Sequence, residues 1–85
     1  MNVIVINEED NGMVGIAKDY KSAIDFLFKE DWLSPEFEVM DKYDNYVPLK
    51  ELNMSIDDIK QMGIDEFNKF FEGCFYLDID TVWGM

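Results

Sequence analysis

The six residues Asn-Val-Ile-Val-Ile-Asn at positions 2–7 constrain the fold more than any other part of this 85-residue chain. Four consecutive β-branched apolar residues favour a strand, and because successive strand side chains point to opposite faces, both faces of this strand are apolar. Such a strand is typical of the centre of a sheet and not of its edge. Asn11-Gly12 follows, a pair that readily adopts the positive φ angles of a tight hairpin turn. We therefore predict a β-hairpin in which residues 2–7 form a central strand and residues 13–16 form its partner.

An amphipathic helix is predicted directly after this hairpin. Asp19 is the expected N-cap, and Ser34-Pro35 is the expected end of the helix. At about 100° per residue, the large apolar side chains fall on one stripe, which consists of Tyr20, Ala23, Ile24, Leu27 and Phe28. We expect this stripe to pack on a sheet that contains Val3, Val5, Leu77 and Ile79.

The second half of the chain is predicted to begin with another hairpin and two short helices. The hairpin covers residues 36–50, where apolar and polar residues alternate and Pro48 favours an edge position for the return strand. Two helices follow, with Ser55 expected to cap the first and Asp65 the second. Gly63 separates them, since glycine commonly ends a helix.

The last predicted element is a strand over residues 75–80. Its apolar residues Phe75, Leu77 and Ile79 alternate with Tyr76, Asp78 and Asp80, so one face of the strand is expected to be buried and the other exposed. The order of elements is then ββα-ββ-αα-β. The prediction is a single acidic domain, residues 1–85, of the α+β class, with an antiparallel sheet and helices packed on one of its faces.

Charge limits the function of this chain strongly. Nineteen acidic residues against seven basic ones give a net charge of −12, and histidine and arginine are both absent. Such a surface repels phosphate backbones and anionic membranes, so direct nucleic-acid or membrane binding is not expected. Without histidine, and with Cys74 as the single cysteine, neither common acid–base catalysis nor a zinc site is expected. We predict no enzyme activity, no cofactor and no metal.

The location expected from the sequence is the cytoplasm. A lone cysteine cannot form an internal disulfide, so nothing indicates an oxidising compartment. The apolar run at residues 3–6 is too short for a signal peptide or a membrane span.

The candidate binding residues are acids on four predicted elements together with one tryptophan. Aspartate or glutamate at the start of a helix also complements the helix dipole, and outward carboxylates on a strand often meet only water, so each has a structural explanation as well. The predicted partner-binding residues are Glu8, Glu9, Asp10, Asp57, Asp58, Asp65, Glu66, Asp78, Asp80 and Trp32. Beside Trp32, further candidate aromatic anchors are Tyr43, Tyr46 and Trp83.

Three segments carry a resemblance to known proteins: "NEEDNG", "SIDDIKQMGIDEF" and "YLDID". In a compact, acidic, cysteine-poor chain they look like the small proteins of phages and mobile elements of low-GC Gram-positive bacteria, among them the anti-CRISPR proteins. The resemblance is one of size, charge and composition over the whole chain. It implies a non-enzymatic inhibitor, acting inside a bacterial host cell, that blocks the DNA-binding site of an RNA-guided nuclease with an acidic, DNA-mimicking surface.

Two alternatives stay open beside this hypothesis. The chain is also compatible with a small accessory interaction protein of a phage or mobile element, whose charge serves solubility. A third possibility is an acidic metal-binding protein, because clustered carboxylates such as Asp78 and Asp80 are ligands for hard cations. In the first two cases a protein is the expected partner, and for the inhibitor it is a basic nucleic-acid-binding protein.

Overall fold

A computed structural model describes residues 1–81 and confirms an α+β fold with antiparallel sheets. Along the chain the elements are β1 (Asn2–Glu8), β2 (Gly12–Ala17), α1 (Tyr20–Lys29), β3 (Glu38–Met40), β4 (Tyr46–Pro48), a 3₁₀ helix (Leu49–Leu52), α2 (Ile56–Met62), α3 (Ile64–Phe70) and β5 (Phe75–Thr81). The described strands form two sheets, a three-stranded one of order β2-β1-β5 and the hairpin β3-β4. Within residues 1–81 no helix is long and apolar enough to cross a membrane.

The apolar strand β1 is the central strand, as its sequence predicts. Its core face is made by Ile4 and Ile6, which are buried in the hydrophobic cluster beneath the helices. Val3 and Val5 belong to the sheet on which α1 packs, as predicted, but alternation along the strand places them on the face that is turned away from the helices. Accordingly, neither valine belongs to the core cluster or packs against it, although Val3 is itself buried, at 9% exposure.

Strand β5 keeps the predicted alternation but is covered over only part of its length. Leu77 is opposite Ile6 and is buried, at 1% exposure. Ile79 is opposite Ile4 on the same face, yet its side chain is 57% exposed, so the prediction that it is buried is wrong. Asn68 of α3 contacts Leu77, and Phe71, just after α3, contacts Phe75, so both contacts lie in the first half of the strand. The exposure of Ile79 shows that the later part of this face is left open.

Helix α1 begins where the sequence predicts and ends earlier. The Asp19 carboxylate accepts a hydrogen bond from the Ser22 backbone N–H at 2.8 Å, which caps the first turn. The helix ends at Lys29 and not at Ser34-Pro35, since Asp31 adopts a left-handed conformation with φ of 60°. The Leu33 N–H then reaches back to the Leu27 carbonyl at 3.0 Å. This turn buries the Leu33 side chain in the core.

Helices α2 and α3 follow one another around Gly63, whose φ of 86° is readily adopted only by glycine. Ser55 caps α2 as predicted, and it forms a capping box with Asp58. The prediction that Asp65 caps α3 is wrong, because this helix starts at Ile64 and Asp65 lies in its first turn.

Phenylalanine rings connect the two sheets. Phe71, at the end of α3, contacts Phe67 with ring centroids 4.6 Å apart and Phe75 of β5 with centroids 6.2 Å apart. Phe37, just before β3, contacts both Phe71 and Phe75. The β3-β4 hairpin is therefore held beside the larger sheet through side chains, although the two sheets do not share a strand.

The outer edge of β5 is closed by a side chain of α3. Asn68 donates its amide N–H to the Leu77 carbonyl at 2.8 Å and accepts the Leu77 backbone N–H at 2.7 Å. A single amide therefore satisfies the main-chain groups that point away from β1 at this position. Such closure protects the edge from pairing with another strand.

Candidate interaction surfaces

The hairpin tip between β1 and β2 carries three of the predicted acids. The Glu8 carboxylate accepts hydrogen bonds from the backbone N–H and the side-chain amide of Asn11, at 2.9 and 2.6 Å. The side-chain bond from Asn11, aided by the backbone N–H groups of the turn, lowers the pKa of Glu8. Glu8 is thus used to build the turn, whereas Glu9 and Asp10 are exposed and their carboxylates accept no hydrogen bond from residues 1–81.

The acids at the starts of α2 and α3 also form two groups, one that accepts hydrogen bonds within the fold and one that does not. Asp58 accepts hydrogen bonds from the Ser55 N–H and hydroxyl at 2.8 and 2.9 Å, and these bonds lower its pKa. Its role is therefore to cap α2. Asp57, Asp65 and Glu66 are exposed at the first turns of their helices, and their carboxylates form no hydrogen bond or ion pair within the described residues.

Asp78 and Asp80 lie on the face of the three-stranded sheet that is turned away from the core. Asp78 is opposite Val5, and Asp80 is opposite Val3. Both carboxylates are exposed, as their alternation with Leu77 predicts. One oxygen of Asp80 accepts the Thr81 N–H at 2.8 Å, while the Asp78 carboxylate accepts no hydrogen bond from the described part of the chain.

We call the side of the sheet that carries these two aspartates the open sheet face. Its other members are Met13, Ile16, Val3, Val5, Asn7 and Tyr76, placed there by the strand register. The side chains of Met13, Ile16 and Tyr76 are 62%, 57% and 55% exposed. Large apolar groups grouped on one exposed face are typical of a protein–protein interface. Residues 13–16, Met-Val-Gly-Ile, show no clean alternation, so their pattern does not indicate that Met13 and Ile16 lie together on an exposed face.

The predicted aromatic anchors have different environments. Trp32 is half-buried and packs against the core, so its ring contributes to the fold. Tyr43 and Tyr46 are 71% and 68% exposed at the end of the β3-β4 hairpin. Trp83 lies outside the described residues.

A groove opens where the hairpin tip, the turn after α3 and the second sheet meet, and we call it the acidic groove. It has a volume of about 350 Å³. Its acids come from three elements, Glu9 from the tip, Glu38 from β3 and Glu72 from the turn after α3. Its apolar lining includes Met40, Tyr46, Phe70 and Phe71. A second cavity of about 360 Å³ on the other side of Glu9 shares Gly73 and Cys74 with it.

Only Glu9 of this groove belongs to the predicted site. Alternation in residues 36–40 does place Glu38 on the exposed side of β3, but no local pattern brings it to Glu9 and Glu72, since the three residues are far apart in sequence. Folding creates the groove because a backbone hydrogen bond from the Glu9 N–H to the Cys74 carbonyl, 3.0 Å long, holds the tip against the turn.

Cys74, between the two cavities, does not have the properties of a nucleophile. Burial raises the pKa of its thiol, and the carboxylates of Glu9 and Glu8 raise it further. The thiol therefore stays protonated at neutral pH and reacts slowly. In residues 1–81 no three carboxylate, histidine or cysteine side chains come together as a set of metal ligands.

Comparison of the chain with protein-family models, with curated proteins and with solved structures finds no match.

Proposed function

We propose that this protein is a non-enzymatic inhibitor that acts in the bacterial cytoplasm by binding a basic nucleic-acid-binding protein. The observation that carries the proposal is the number of carboxylates left over after folding. The described ion pairs use two lysines, Lys50 with Glu36 and Lys60 with Asp25, while the net charge of the chain is −12. Exposed, unpaired carboxylates on this scale steer a basic partner towards the surface and repel nucleic acid.

The open sheet face supports the proposal with geometry. Asp78 and Asp80 are two positions apart on one strand, about 7 Å at a rise of roughly 3.3 Å per residue, a spacing close to that of neighbouring phosphates on one nucleic-acid strand. Because they are held on a sheet and not on a turn, little ordering entropy opposes their binding. A lysine- or arginine-rich channel, such as the one that holds nucleic acid in RNA-guided nucleases, has the complementary charge. The narrower proposal is therefore an anti-CRISPR protein that blocks this channel.

The test is competition with DNA. A guide-loaded RNA-guided nuclease is titrated with the protein while the binding of a fluorescent target duplex is followed. We expect displacement of the duplex, and we expect the Asp78→Asn, Asp80→Asn variant to need about 5- to 100-fold more protein, a loss that shrinks as salt is raised.

The matched control is Glu30→Gln, Glu51→Gln, which removes the same charge from exposed positions outside the sheet. Equal weakening by both variants would mean that only total charge matters. If neither this nuclease nor any nucleic-acid-binding protein retained from bacterial lysate is displaced from DNA, the proposed function is wrong.

The second candidate is a small accessory interaction protein without inhibitory activity. The apolar members of the open sheet face favour it. A surface that mimics phosphates needs only carboxylates, whereas Met13, Ile16 and Tyr76 expose large apolar side chains on this face. Replacing Ile16 with Asn separates the two candidates. An accessory protein that docks through apolar contacts loses its partner, whereas a charge-steered inhibitor keeps most of its association rate.

A further inference from the structure

We infer that the acidic groove is a binding site for a lysine or arginine side chain of a partner protein. The inference deepens the proposed function, because it gives the basic partner a defined point of attachment. It does not require the partner to be a nuclease.

The groove has the charge that a basic side chain needs. Glu9, Glu38 and Glu72 are all exposed, and their carboxylates form no hydrogen bond or ion pair with residues 1–81. No lysine is among the described residues that line either cavity. Burial raises the pKa of the Cys74 thiol, and the carboxylates of Glu9 and Glu8 raise it further, so the negative field of Glu9 reaches the side of the groove where Cys74 lies.

The groove also has the shape and the apolar lining for a long, charged side chain. Lysine and arginine bury their methylene stems on apolar surface while the charged head stays near solvent. Met40 and Phe70 provide such a surface, and the exposed ring of Tyr46 provides a π face for a cation. A volume of about 350 Å³ leaves room for one such side chain and part of its backbone.

A metal ion fits this arrangement less well than an organic cation. A hard cation needs several oxygen ligands at 2.3–2.6 Å or less from one point, and within residues 1–81 the acids do not converge in this way. A guanidinium or ammonium group at the end of a long side chain pairs with individual carboxylates, so it does not need all of them to surround one point. The spread of the three acids over a groove therefore favours a side chain as the occupant.

The groove is also preorganised. Glu38 is on a strand, Glu72 lies two residues after the end of α3, and the backbone N–H of Glu9 is hydrogen-bonded to the Cys74 carbonyl. Phe71 forms the floor and is packed between Phe67, Phe70 and Phe75. Little rearrangement is needed on binding, which lowers the entropic cost.

The experiment is a nuclear magnetic resonance titration of the ¹⁵N-labelled protein with N-acetyl-arginine N-methylamide. The lysine analogue is the second probe, and the citrulline analogue, which has nearly the shape of arginine but no charge, is the control. We expect saturable shifts of the amides of Glu38, Met40, Glu72 and Cys74 with both cations, with dissociation constants on the order of millimolar for ligands of this size. We expect no saturable shift with citrulline.

Two double variants locate the site. Glu38→Gln, Glu72→Gln should raise the dissociation constant of the arginine probe about fivefold or more, since charge-assisted hydrogen bonds are the strong ones. Glu30→Gln, Glu51→Gln, with the same net charge, should change it less than about twofold. All four positions are exposed, and the amide spectrum of each variant reports directly on its fold.

The inference is overturned if the cations cause no saturable amide shifts, or if citrulline binds equally well. It is overturned too if the shifted amides lie beside acidic residues over the whole surface and not in the groove. It is also overturned if the two double variants weaken binding equally. These results do not depend on the nuclease assay. Failure to displace DNA leaves the titration unaffected, and failure of the titration leaves the role of Asp78 and Asp80 to be decided by the nuclease assay.

Discussion

Truncating Asn68 to alanine is the sharpest test of how this small fold is held together. Its amide makes two hydrogen bonds to the main chain of Leu77, at 2.7 and 2.8 Å, in a partly buried position. Two such bonds contribute roughly 1–3 kcal/mol in total. Alanine is the better helix former, and its higher helix propensity offsets about 0.5 kcal/mol of this loss in stability. We expect Asn68→Ala to lower the free energy of unfolding by about 0.5–2.5 kcal/mol, which corresponds to a decrease in Tm of roughly 2–20 °C for a domain of this size.

The assay combines urea unfolding, followed by circular dichroism, with hydrogen exchange of single amides. The Leu77 amide is the specific reporter, because it donates its N–H to the Asn68 side-chain oxygen. In Asn68→Ala this amide should exchange faster by a larger factor than the amides of β1 do. A uniform increase in exchange would indicate global destabilisation only.

Two control variants test the reasoning. Asn68→Asp keeps the acceptor for the Leu77 N–H but places a carboxylate oxygen against the Leu77 carbonyl, so it should cost at least as much as alanine. Gln61→Ala, on the exposed side of α2, should change stability by less than about 0.5 kcal/mol. An Asn68→Ala variant as stable as the wild type, with the Leu77 amide still protected, would refute this account of the β5 edge.

Three further predictions concern the core and its pH dependence. Leu27→Ala, at a fully buried position, should lower the free energy of unfolding in urea by about 2–5 kcal/mol. Gly15→Ala would bring a methyl group to 2.6 Å from the Phe26 ring and should cost about 1–3 kcal/mol, with recovery when Phe26 is also replaced by leucine. Burial, with the Glu66 carboxylate, raises the pKa of Tyr20 from 10.0 to about 12. Folding therefore keeps a proton that the unfolded chain releases, so stability present below pH 10 should fall by roughly 1 kcal/mol as pH rises towards 12, after allowance for partial exposure. Tyr20→Phe should abolish that fall in alkaline unfolding curves.

The parts of the fold that local rules determine could be predicted from the sequence. The apolar run of β1 gives a central strand, and Asp19 and Ser55 cap the helices that follow them. These features depend on neighbouring residues only. The class of the fold follows from their order.

The faces and limits of these elements could not be predicted, because they depend on what packs against them. Since β1 is apolar on both sides, its sequence cannot tell that Ile4 and Ile6, and not Val3 and Val5, meet the helices. Alternation assigns Ile79 to the correct face, but whether a helix reaches that far is a tertiary property. The end of α1 at Lys29, followed by the left-handed Asp31, depends on the burial of Leu33.

The candidate site was predicted only in part for the same reason. The exposed acids were identified residue by residue, and Asp78 and Asp80 lie outward as their strand pattern predicts. Glu8 and Asp58, however, are acceptors within their own turns. Asn68 gave no signal in the sequence, since its role depends on a strand nine residues later.

Salt should act in opposite directions on the folding of this chain and on its binding. With a net charge of −12, compaction brings like charges together, and self-repulsion opposes folding. Raising sodium chloride from about 20 to about 200 mM shortens the screening length and should increase the free energy of unfolding in urea. The same change should weaken association with any basic partner, whose lysines and arginines supply the cations that the chain lacks. If salt instead lowers stability, attractive ion pairs such as Lys60 with Asp25 outweigh the repulsion. The surplus of carboxylates would then have little cost to the fold, and a basic partner would not be needed to explain it.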